Sequence, residues 1–425
     1  MKKTNRKEFL AQAAALSGIM IVPRHVLGGA GYIAPSDKVT LGFIGAGRQA
    51  LTLQQRFTAT GKVKVIAASD VYVSKLTNFV HVLGDLPGQS AKACTPYGDF
   101  REILARKDVD AVVIATPDHW HGVMAVMAAD AKKDTYCEKP LALTIKEGRD
   151  IVDAVERNNV VFQTGSMQRS APEFRQAANL IRNGYLGEIT SVHVNIGGPP
   201  LPFDLPEERV PADLDWKRWL GPNEPVGYNH ELNPVIGADI WARWRYYKGL
   251  GGGDMTDWGA HMFDIVQWAL NMDGKGPVKV VPPDSRAHPM LTYTYENGIR
   301  MTQSDAEEGR FIVFEGTEGR LRVQRRKLET TPEALRDRVI GPDEKQVYQS
   351  GNHYLDFLQA METRKDPICP AAIGHSTNTV CVIGNIAYEL GRPLTWDYTK
   401  EAFVGDEAAN KLRERRLRTD WAAEG

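Results

Sequence analysis

The sequence predicts an α/β protein whose first domain is built on a doubly wound parallel sheet. From Lys38 onward, short apolar segments typical of buried strands alternate with stretches that have the pattern of helices. The chain has 425 residues, of which 42% are hydrophobic, and this length favours more than one domain. We expect a leader at residues 1–36, a first domain at 37–160 and a second domain at 161–425.

Each strand of the first domain is predicted by a short strand-like run, and most of these runs are apolar. The runs are, in chain order, KVTLGFIG, KVKVIAASD, VDAVVIATP, KKDTYC and VVFQTGS. Helical patterns separate these runs, and strands that are joined by helices lie parallel in one sheet. The first half of the chain therefore predicts a parallel sheet with crossover helices.

The first strand is followed by a glycine turn of the kind that binds a dinucleotide. Gly45, Gly47 and Ala50 form a G-x-G-x-x-A pattern that leaves a strand and opens a helix. The first Gly permits a tight turn, the second lets the backbone approach a pyrophosphate, and a small third residue lets the helix pack on the strand. Arg48 and Gln49 begin this helix, whose N–H groups suit phosphate oxygens.

Asp70 ends the second predicted strand, twenty residues after Ala50. An acid at this place accepts hydrogen bonds from a ribose 2′-OH and repels a 2′-phosphate, so the sequence favours NAD over NADP. Arg48 keeps NADP open, because an Arg near that ribose can accept the phosphate. The alternative interpretation is a plain glycine turn with a surface Asp.

Two later strand ends are expected at the same edge of the sheet. Thr116 and Pro117 end a strand before a helix that starts near His121, and Glu138 and Lys139 follow the next strand. Ligands bind at the carboxyl ends of strands in open α/β sheets, so all five residues are candidates for binding the cofactor. An exposed Lys in a strand-to-turn link and a His that only packs are the alternatives.

A second motif adds two polar residues with helical spacing. In GGGDMTDWGAH, Asp257 and His261 stand at i and i+4, which places them on one face of a helix. A hydride acceptor beside a Lys, an Asp and a His has what alcohol oxidation needs, a base for the hydroxyl proton and hydrogen bonds for orientation. Lys139, Asp257 and His261 are therefore the catalytic candidates. Alternatively, Asp257 supports an N-cap at Asp254 and His261 is a core residue.

Together these segments resemble the Gfo/Idh/MocA superfamily, the relatives of glucose–fructose oxidoreductase and myo-inositol dehydrogenase. The resemblance rests on GFIGAGRQA, ATPDHWH, CEKPLALT and GGGDMTDWGAH and covers nearly the whole chain after the leader. It implies an N-terminal Rossmann domain that binds NAD(P) and a C-terminal α/β domain with an open, largely antiparallel sheet under the substrate. It also implies that Lys139 is the catalytic Lys and that His261, with Asp257, accepts the proton.

The second domain carries an aromatic insertion at residues 197–248. It follows a strand-like run in GEITSVHVNIGG and precedes two more, in MLTYTYENGIRMTQSD and GRFIVFEGTEGRLRVQ. Trp faces stack on the apolar face of a pyranose while Arg reads its hydroxyls, so Trp244 and Arg245 are candidates for binding substrate. The alternative is that these aromatic residues only hold down a long loop. Gln168 and Arg169, after a strand end, and His375, at the start of a helix, are further substrate-site candidates.

Charge and composition exclude several classes of protein. The net charge is −1, which gives no overall basic field for nucleic acid. The four Cys residues form no CxxC pair or Cys/His cluster, so neither a disulfide framework nor a metal site is predicted. No apolar run reaches about 18 residues, the length that suggests a membrane span. We expect a small-molecule carbohydrate as the binding partner and a homo-oligomer as the assembly.

The N-terminus has the three-part pattern of an export signal. Basic MKKTNRKEFL precedes the short apolar AQAAALSGIMIV and then small residues. NRKEFL resembles the twin-arginine consensus, with Lys7 in place of the second Arg. We expect a periplasmic protein with a tightly bound cofactor, because free NAD should be scarce there. If this segment is an amphipathic helix instead of a signal, the protein is cytoplasmic.

Two functions suit these residues. The first is an NAD(P)-dependent oxidoreductase that acts on a ring hydroxyl of a sugar or glycoside, with Lys139 and His261 assisting proton transfer. Resemblance to glycoside-oxidising relatives points to C3. The alternative, also found among relatives, is an NAD-dependent glycosidase in which a retained cofactor oxidises C3 transiently and the aglycone is eliminated. The intact Lys139, Asp257 and His261 disfavour a third possibility, a cofactor-binding protein without catalysis.

Overall fold

The computed structural model describes residues 37–284, 289–419 and 421, so the predicted leader lies outside the described residues. One sheet of six strands and one sheet of nine strands organise this part of the chain. Helices pack on both sheets, as the alternation of apolar and helical patterns predicts. Within the described ranges, no helix is long and apolar enough to cross a membrane.

The first sheet has six parallel strands in the order β3-β2-β1-β4-β5-β6. They are β1 Val39–Ile44, β2 Val63–Ser69, β3 Thr95–Tyr97, β4 Ala111–Ile114, β5 Asp134–Cys137 and β6 Phe162–Thr164. This order is that of dinucleotide-binding folds, and it confirms the predicted parallel sheet. The order reverses between β1 and β4, and the crevice outside their carboxyl ends is where ligands bind in such sheets.

Five helices connect and flank these strands. They are α1 Arg48–Thr58, α2 Val73–Gly84, α3 Phe100–Ala105, α4 Asp118–Asp130 and α5 Ile145–Asn158. Local sequence sets the ends of α5, because the Thr144 hydroxyl accepts a hydrogen bond from the N–H of Glu147 (3.2 Å) and Asn159 takes a left-handed φ of 51°. The apolar faces of the helices close over the sheet, as where Phe43 meets Phe57 at 6.5 Å between ring centroids.

The second sheet has nine strands in the order β13-β12-β11-β7-β10-β9-β8-β14-β15. They are β7 Ile189–Asn195, β8 Pro277–Val281, β9 Leu291–Tyr295, β10 Arg300–Ser304, β11 Phe311–Gly316, β12 Arg320–Gln324, β13 Lys327–Thr331, β14 Leu394–Asp397 and β15 Ala402–Phe403. Neighbouring strands are antiparallel except β7 and β10, which run parallel. The largely antiparallel sheet that the resemblance implied is confirmed.

Helices cover one face of the second sheet. The helices after β6 are α6 Pro172–Arg182, α7 Trp216–Leu220, α8 Asp254–Asp257, α9 Gly259–Ala269, α10 His353–Thr363, α11 Ala371–Leu390 and α12 Glu407–Lys411. Phe174 of α6, Phe263 of α9 and Ile383 of α11 share one core with the buried strand residues Val192 and Phe314. The predicted single helix through Asp257 and His261 is two short helices, α8 and α9, which meet at Trp258.

Two segments beyond residue 160 pack with the first sheet. β6 is its edge strand, and α10 places Phe357 against Phe57 and Tyr136, with ring centroids 6.2 and 6.0 Å apart. The boundary between residues 160 and 161 stays a prediction from the sequence, while the sheet itself continues through β6.

The aromatic insertion packs on the first domain rather than on the second sheet alone. The N–H of Val73 donates to the carbonyl of Asp213 (2.9 Å), and the N–H of Asp215 donates to the carbonyl of Val71 (3.0 Å). Trp216 stacks on Trp219 at 4.4 Å, so these two rings hold the insertion together, as the packing alternative predicts. The insertion is thereby fixed beside the carboxyl end of β2.

Candidate active site

A cavity of about 620 Å³ lies where the carboxyl ends of the first sheet face the insertion and the second domain. This volume is ordinary for the site of a small molecule or cofactor. Most of the predicted site residues line it, namely Gly45, Gly47, Arg48, Gln49, Asp70, Thr116, Pro117, Glu138, Lys139, Trp244, Arg245, Asp257 and His261. The structure therefore brings the glycine turn and the catalytic candidates to one cavity.

The glycine turn has the shape that a dinucleotide requires. Gly45 has a φ of +92°, and a Cβ on it would lie 2.7 Å from the carbonyl oxygen of Ala115, so only glycine fits. Gly47 precedes α1, and no atom lies within 4 Å of the place that its Cβ would occupy. The backbone at Gly47 therefore faces open space, which leaves room for a pyrophosphate at the N-terminus of α1.

Asp70 stands at the rim of this turn, where the sequence places it. Its carboxylate accepts hydrogen bonds from the N–H groups of Ala46 (2.7 Å) and Tyr72 (2.8 Å). Burial raises the pKa of Asp70, and the nearby charge of Lys75 acts in the opposite direction. Lys75 is itself buried, and its ammonium donates a hydrogen bond to the side-chain oxygen of Asn233 in the insertion.

Glu138 forms hydrogen bonds that connect the first turn of α1, after the glycine turn, to the end of β5. Its carboxylate accepts hydrogen bonds from the amide of Gln49 (2.8 Å) and from the N–H of Lys139 (3.2 Å). Burial raises the pKa of Glu138, while the charge of Lys139 and the hydrogen bond from Gln49 lower it. A Cβ on Gly165, directly after β6, would lie 3.0 Å from this carboxylate, so the glycine leaves space for it.

Lys139 and Asp257 form an ion pair across the two domains. The ammonium donates to the Oδ1 of Asp257 at 2.5 Å and to its carbonyl oxygen at 3.0 Å. Burial raises the pKa of Asp257, but the charges of Lys139 and Arg245 outweigh it and bring that pKa below its usual value. An ammonium has three donors, so the geometry leaves one N–H of Lys139 for a ligand.

His261, in the first turn of α9, completes the predicted trio. Its side chain is buried, and its Nδ1 has no hydrogen-bond partner among the described residues. Burial and the charges of Lys139 and Arg325 lower its pKa well below the usual value. The imidazole is therefore neutral near pH 7 and free to accept a proton.

The predicted N-cap at Asp254 is wrong, because Gly253 precedes α8 and Asp254 is its first residue. The Asp254 carboxylate instead faces Arg310 at 3.3 Å. Asp257 is therefore not occupied by a cap, and its side chain remains available to Lys139.

His121 does not line the cavity, so its predicted contact with the cofactor needs correction. Its Nδ1 lies 2.7 Å from the carbonyl oxygen of Pro140, and its Nε2 lies 3.0 Å from that of Thr116. Burial lowers the pKa of His121 to about 4. The ring is a buried support between two strand ends, next to the Lys139–Pro140 peptide bond, which is cis.

Three predicted substrate residues lie outside the cavity as well. Arg169 is buried between the carboxylates of Asp264 (2.8 Å) and Asp273 (2.7 Å), so it forms structural ion pairs. His375 is buried on α11, where its Nε2 lies 2.7 Å from Glu401. A polar residue after a strand or at the start of a helix can bind a ligand or pair with another residue of the protein. Arg169 and His375 pair with other residues of the protein.

Gln168 is the third of these residues, and it supports the site from behind. Its amide donates to the carbonyl of His261 at 3.2 Å, and its side-chain oxygen accepts from the Nε of Arg325 at 2.9 Å. Gln168 therefore positions cavity residues without facing the cavity itself. Its prediction as a direct substrate ligand is corrected to this indirect role.

Trp244 and Arg245 line the cavity from the short 3₁₀ turn at Arg243–Tyr246. The guanidinium of Arg245 lies 4.6 Å from the ring of Trp244 and 5.4 Å from that of Trp241, and its Nε is 3.8 Å from Asp257. The insertion thus delivers an Arg and two Trp rings beside the Lys139–Asp257 pair.

Asp118, Lys75 and Arg325 line the cavity and were missed by the sequence reasoning. Asp118 directly follows Pro117, and burial raises its pKa well above the usual range. Its Oδ2 is buried and has no partner among the described residues. A buried carboxyl oxygen of this kind calls for a hydrogen-bonding group on a ligand, such as the carboxamide of a nicotinamide, so the residues present fit an NAD molecule.

The sequence matches two family models that together span most of the chain. One is described as an oxidoreductase family, NAD-binding Rossmann fold, and matches residues 39–166. The other is described as an oxidoreductase family, C-terminal alpha/beta domain, and matches residues 202–423. The cavity described above lies where these two matched regions meet.

Similar proteins include two curated relatives and a solved structure. An uncharacterized oxidoreductase, YrbE, of Bacillus subtilis is 22% identical over 86% of this chain and 99% of its own length. A glycosyl hydrolase family 109 protein of Shewanella baltica is 29% identical over 44% of this chain and 45% of its own length. The WlbA dehydrogenase of Bordetella pertussis, solved with NADH and UDP-GlcNAcA, is 16% identical over 85% of this chain and 98% of its own, with a TM-score of 0.60.

Proposed function

This chain belongs to the Gfo/Idh/MocA oxidoreductase family, and on that premise we propose that it oxidises a ring hydroxyl of a sugar or glycoside with NAD, or reduces the corresponding ketone with NADH. The observation that carries the proposal is the Lys139–Asp257 pair, 2.5 Å apart, in the same cavity as His261 and the glycine turn. The WlbA dehydrogenase, which shares the fold and was solved with UDP-GlcNAcA, supports a carbohydrate substrate, and C3 is proposed from the family resemblance.

The side chains divide the work of proton transfer. The free N–H of Lys139 binds the oxygen of the substrate hydroxyl and stabilises the negative charge that grows as the proton leaves. Asp257 fixes the ammonium in place and balances its charge. Neutral His261 accepts the hydroxyl proton, and the bound nicotinamide supplies the hydride acceptor for the carbon.

Asp70 supports NAD rather than NADP as the carrier. Its carboxylate is held at the rim by two backbone N–H groups, at 2.7 and 2.8 Å, where a 2′-phosphate would meet its negative charge. Arg48, which kept NADP open, is drawn toward the insertion, where its Nη2 donates to the carbonyl of Ala238 at 2.5 Å. That contact leaves less of its charge directed at the ribose.

We further propose that a clasp, residues 233–241 of the insertion, retains the cofactor. The clasp contacts the first domain at Lys75, through Asn233, and at Arg48, through Ala238 and the ring of Trp241 at 5.1 Å. Several clasp residues line the cavity beside the glycine turn and Asp70. A dinucleotide in that place could leave only after these contacts open, which supports slow release.

Single-turnover reduction of the bound cofactor tests the main proposal. Protein loaded with NAD is mixed with neutral and acidic sugars and their methyl glycosides, and the near-ultraviolet absorbance of reduced nicotinamide is followed. At least one sugar should reduce the cofactor, and replacement of Lys139 or His261 should abolish that signal. Reduction by a non-carbohydrate alcohol alone would refute the sugar assignment.

A redox-neutral glycosidase is the second candidate, and the family 109 glycosyl hydrolase relatives favour it. In that cycle the substrate is oxidised at C3, the acidified C2 proton is removed, the aglycone leaves, water adds, and the hydride returns. Incubation of glycosides in deuterated water separates the two. Aglycone release with deuterium at C2 indicates the glycosidase, and C2 deuteration with the aglycone retained indicates oxidation alone.

We also propose that the protein is exported to the periplasm, because the N-terminal pattern is that of an export signal. The mature chain should then begin between Gly28 and Pro35. Mass spectrometry of protein from the native host checks this, and a chain that keeps Met1 in the cytosol would contradict it.

A homo-oligomer likewise remains a proposal, which light scattering of the purified protein tests.

A further inference from the structure

Arg325 is a cation at the substrate end of the cavity that the proposed hydride transfer does not use. It directly follows β12 and lines the cavity together with Lys139, Asp257 and His261. Its charge acts on both Asp257 and His261, which places it within electrostatic range of the reacting groups. The second sheet therefore delivers an Arg to the site from the opposite domain to Lys139.

The guanidinium of Arg325 is held in a fixed position. Its Nε donates to the side-chain oxygen of Gln168 at 2.9 Å, and its guanidinium carbon lies over the ring of Trp258, 4.7 Å from the ring centroid. Gln168 is anchored in turn to the carbonyl of His261 at 3.2 Å. These contacts orient Arg325 relative to the catalytic trio, so less side-chain entropy is lost when it binds a ligand.

The two terminal nitrogens of the Arg325 guanidinium are not held by such contacts. Among the described residues, its two terminal nitrogens have no hydrogen-bond partner and no carboxylate within 4.0 Å. The other Arg near Asp257 differs, because Arg245 donates from Nη1 to the carbonyl of Ala242 and has its Nε 3.8 Å from Asp257. Arg325 is thus an oriented fork with two parallel donors that are free for a ligand in the cavity.

We propose that Arg325 binds a carboxylate of the substrate, so that the substrate is an acidic sugar, a uronic acid or a glycoside of one. Two parallel N–H donors match the two oxygens of a planar carboxylate. One guanidinium end also pairs with a phosphate, but a phosphate carries about −1.5 to −2 charges and three acceptor oxygens, so a single Arg neither balances its charge nor satisfies all its oxygens. This inference rests on the proposed oxidation of a sugar and adds the class of sugar.

The test compares a neutral, an acidic and a phosphorylated sugar of one configuration. Methyl glucoside, methyl glucuronide and glucose 6-phosphate, and the galacto series, are offered to NAD-loaded wild-type protein, Arg325→Ala, Arg325→Lys and the control Arg322→Ala. Arg322 lies on β12, the strand that Arg325 follows, has its guanidinium 3.7 Å from the ring of Phe311 and does not line the cavity. Cofactor reduction and calorimetric binding are measured for each sugar.

Wild-type protein should prefer the uronate by kcat/KM. Arg325→Ala should weaken uronate binding about 10- to 100-fold, the effect of losing charged hydrogen bonds, and should weaken binding of the neutral sugar by a clearly smaller factor, so that the preference for the uronate is lost. Arg325→Lys should fall between, because it keeps the charge without the fork, and Arg322→Ala should match wild type. Arg325→Lys and the binding data keep the test decisive should Arg325→Ala misfold.

Three results would overturn the inference while leaving the proposed function intact. The first two are a preference of wild-type protein for the neutral sugar and a preference for the phosphorylated sugar. The third is an equal loss of binding for all sugars in Arg325→Ala, which would mean that Arg325 only holds the site in shape through Trp258 and Gln168. If no sugar of any kind reduces the cofactor in protein that demonstrably holds NAD, the proposed function itself fails, and this inference fails with it.

Discussion

The two ends of the cavity are built in different ways. The cofactor end is built mainly from one stretch of chain, from Gly45 to Lys139, in which the predicted site residues follow strands of the same sheet. The substrate end is assembled from segments far apart in the chain, which carry Arg245, Asp257, His261 and Arg325. A local sequence pattern can specify the first end, whereas the second exists only after the second domain and its insertion pack against the first.

This difference predicts that substitutions at the two ends separate turnover from cofactor binding. The largest effect is expected at the junction, where Lys139→Ala and His261→Ala should each lower turnover about 10²- to 10⁴-fold, the usual contribution of acid–base groups. NAD content after purification should stay at the wild-type level, because neither side chain belongs to the glycine turn. Kinetics and quantification of NAD in denatured protein check both statements.

The matched control for Lys139→Ala is Lys146→Ala. Lys146 is an exposed Lys on α5 that pairs with Asp150 at 2.8 Å, and it should keep full turnover. Normal reduction of cofactor by substrate in His261→Ala would show that His261 is only a packing residue. Loss of NAD together with turnover in Lys139→Ala would break the proposed separation of the two ends.

A smaller effect, confined to the cofactor end, is expected for Asp70→Ala. Loss of hydrogen bonds to the ribose should weaken NAD about 10- to 100-fold, and removal of the negative charge should let NADP bind more tightly than before. The variant should oxidise substrate at a near-normal rate when NAD is saturating. Titration of both dinucleotides measures this, with Asp108→Ala, an exposed acid paired with Arg106, as the control.

Tighter binding of NADP than NAD by wild-type protein would contradict the role of Asp70. It would point instead to Lys75 and Arg48, whose cationic groups lie beside the same rim.

The sequence could predict the cofactor end nearly in full and the substrate end only in part. The pattern from Gly45 to Asp70 works because turn, helix and strand end are adjacent in the chain. Arg325 carries no such sign, since an Arg after a strand is common and only the fold brings it to the cavity. The prediction that Arg169 binds substrate was wrong because its partners, Asp264 and Asp273, lie about a hundred residues away in the chain. No local sequence pattern reveals such partners.

The clasp is a part of the insertion that reaches the cofactor end, so it can sharpen the comparison. Arg48→Ala and Asn233→Ala each remove a contact between the clasp and the first domain. Each should speed release of NAD, by about tenfold for a hydrogen bond to a charged group, with little change in the chemical step. Stopped-flow displacement of bound NAD measures the release rate.

Arg243→Ala is the control for the clasp, because Arg243 pairs with Glu231 at 2.6 Å within the insertion and does not line the cavity. Unchanged release from both Arg48→Ala and Asn233→Ala would show that the clasp does not limit dissociation. Faster release from Arg243→Ala alone would place the limiting contact elsewhere in the insertion.

The smallest effect on turnover is expected for His375, which the sequence places with His261 but the structure does not. His375 lies against Glu401 at 2.7 Å, and burial, which would raise the pKa of Glu401, is outweighed by hydrogen bonds from His375 and Arg149 that lower it to about 2. A carboxylate with a depressed pKa stabilises the fold above its unfolded pKa of about 4.5 and loses that contribution as the pH falls toward about 2. His375→Ala should therefore cost stability, about 1–3 kcal/mol for a buried hydrogen-bond partner, at neutral pH.

The difference in unfolding temperature between wild type and His375→Ala should shrink as the pH falls from about 4.5 to about 2, because protonated Glu401 no longer favours the folded state. His375→Gln, which keeps a donor, should recover much of the stability, and both variants should turn over substrate at close to the wild-type rate. Thermal unfolding across this pH range, read beside single-turnover kinetics at neutral pH, separates the two histidines. A loss of turnover in His375→Gln comparable to that in His261→Ala would return His375 to the active site and remove the distinction between buried support and cavity residue.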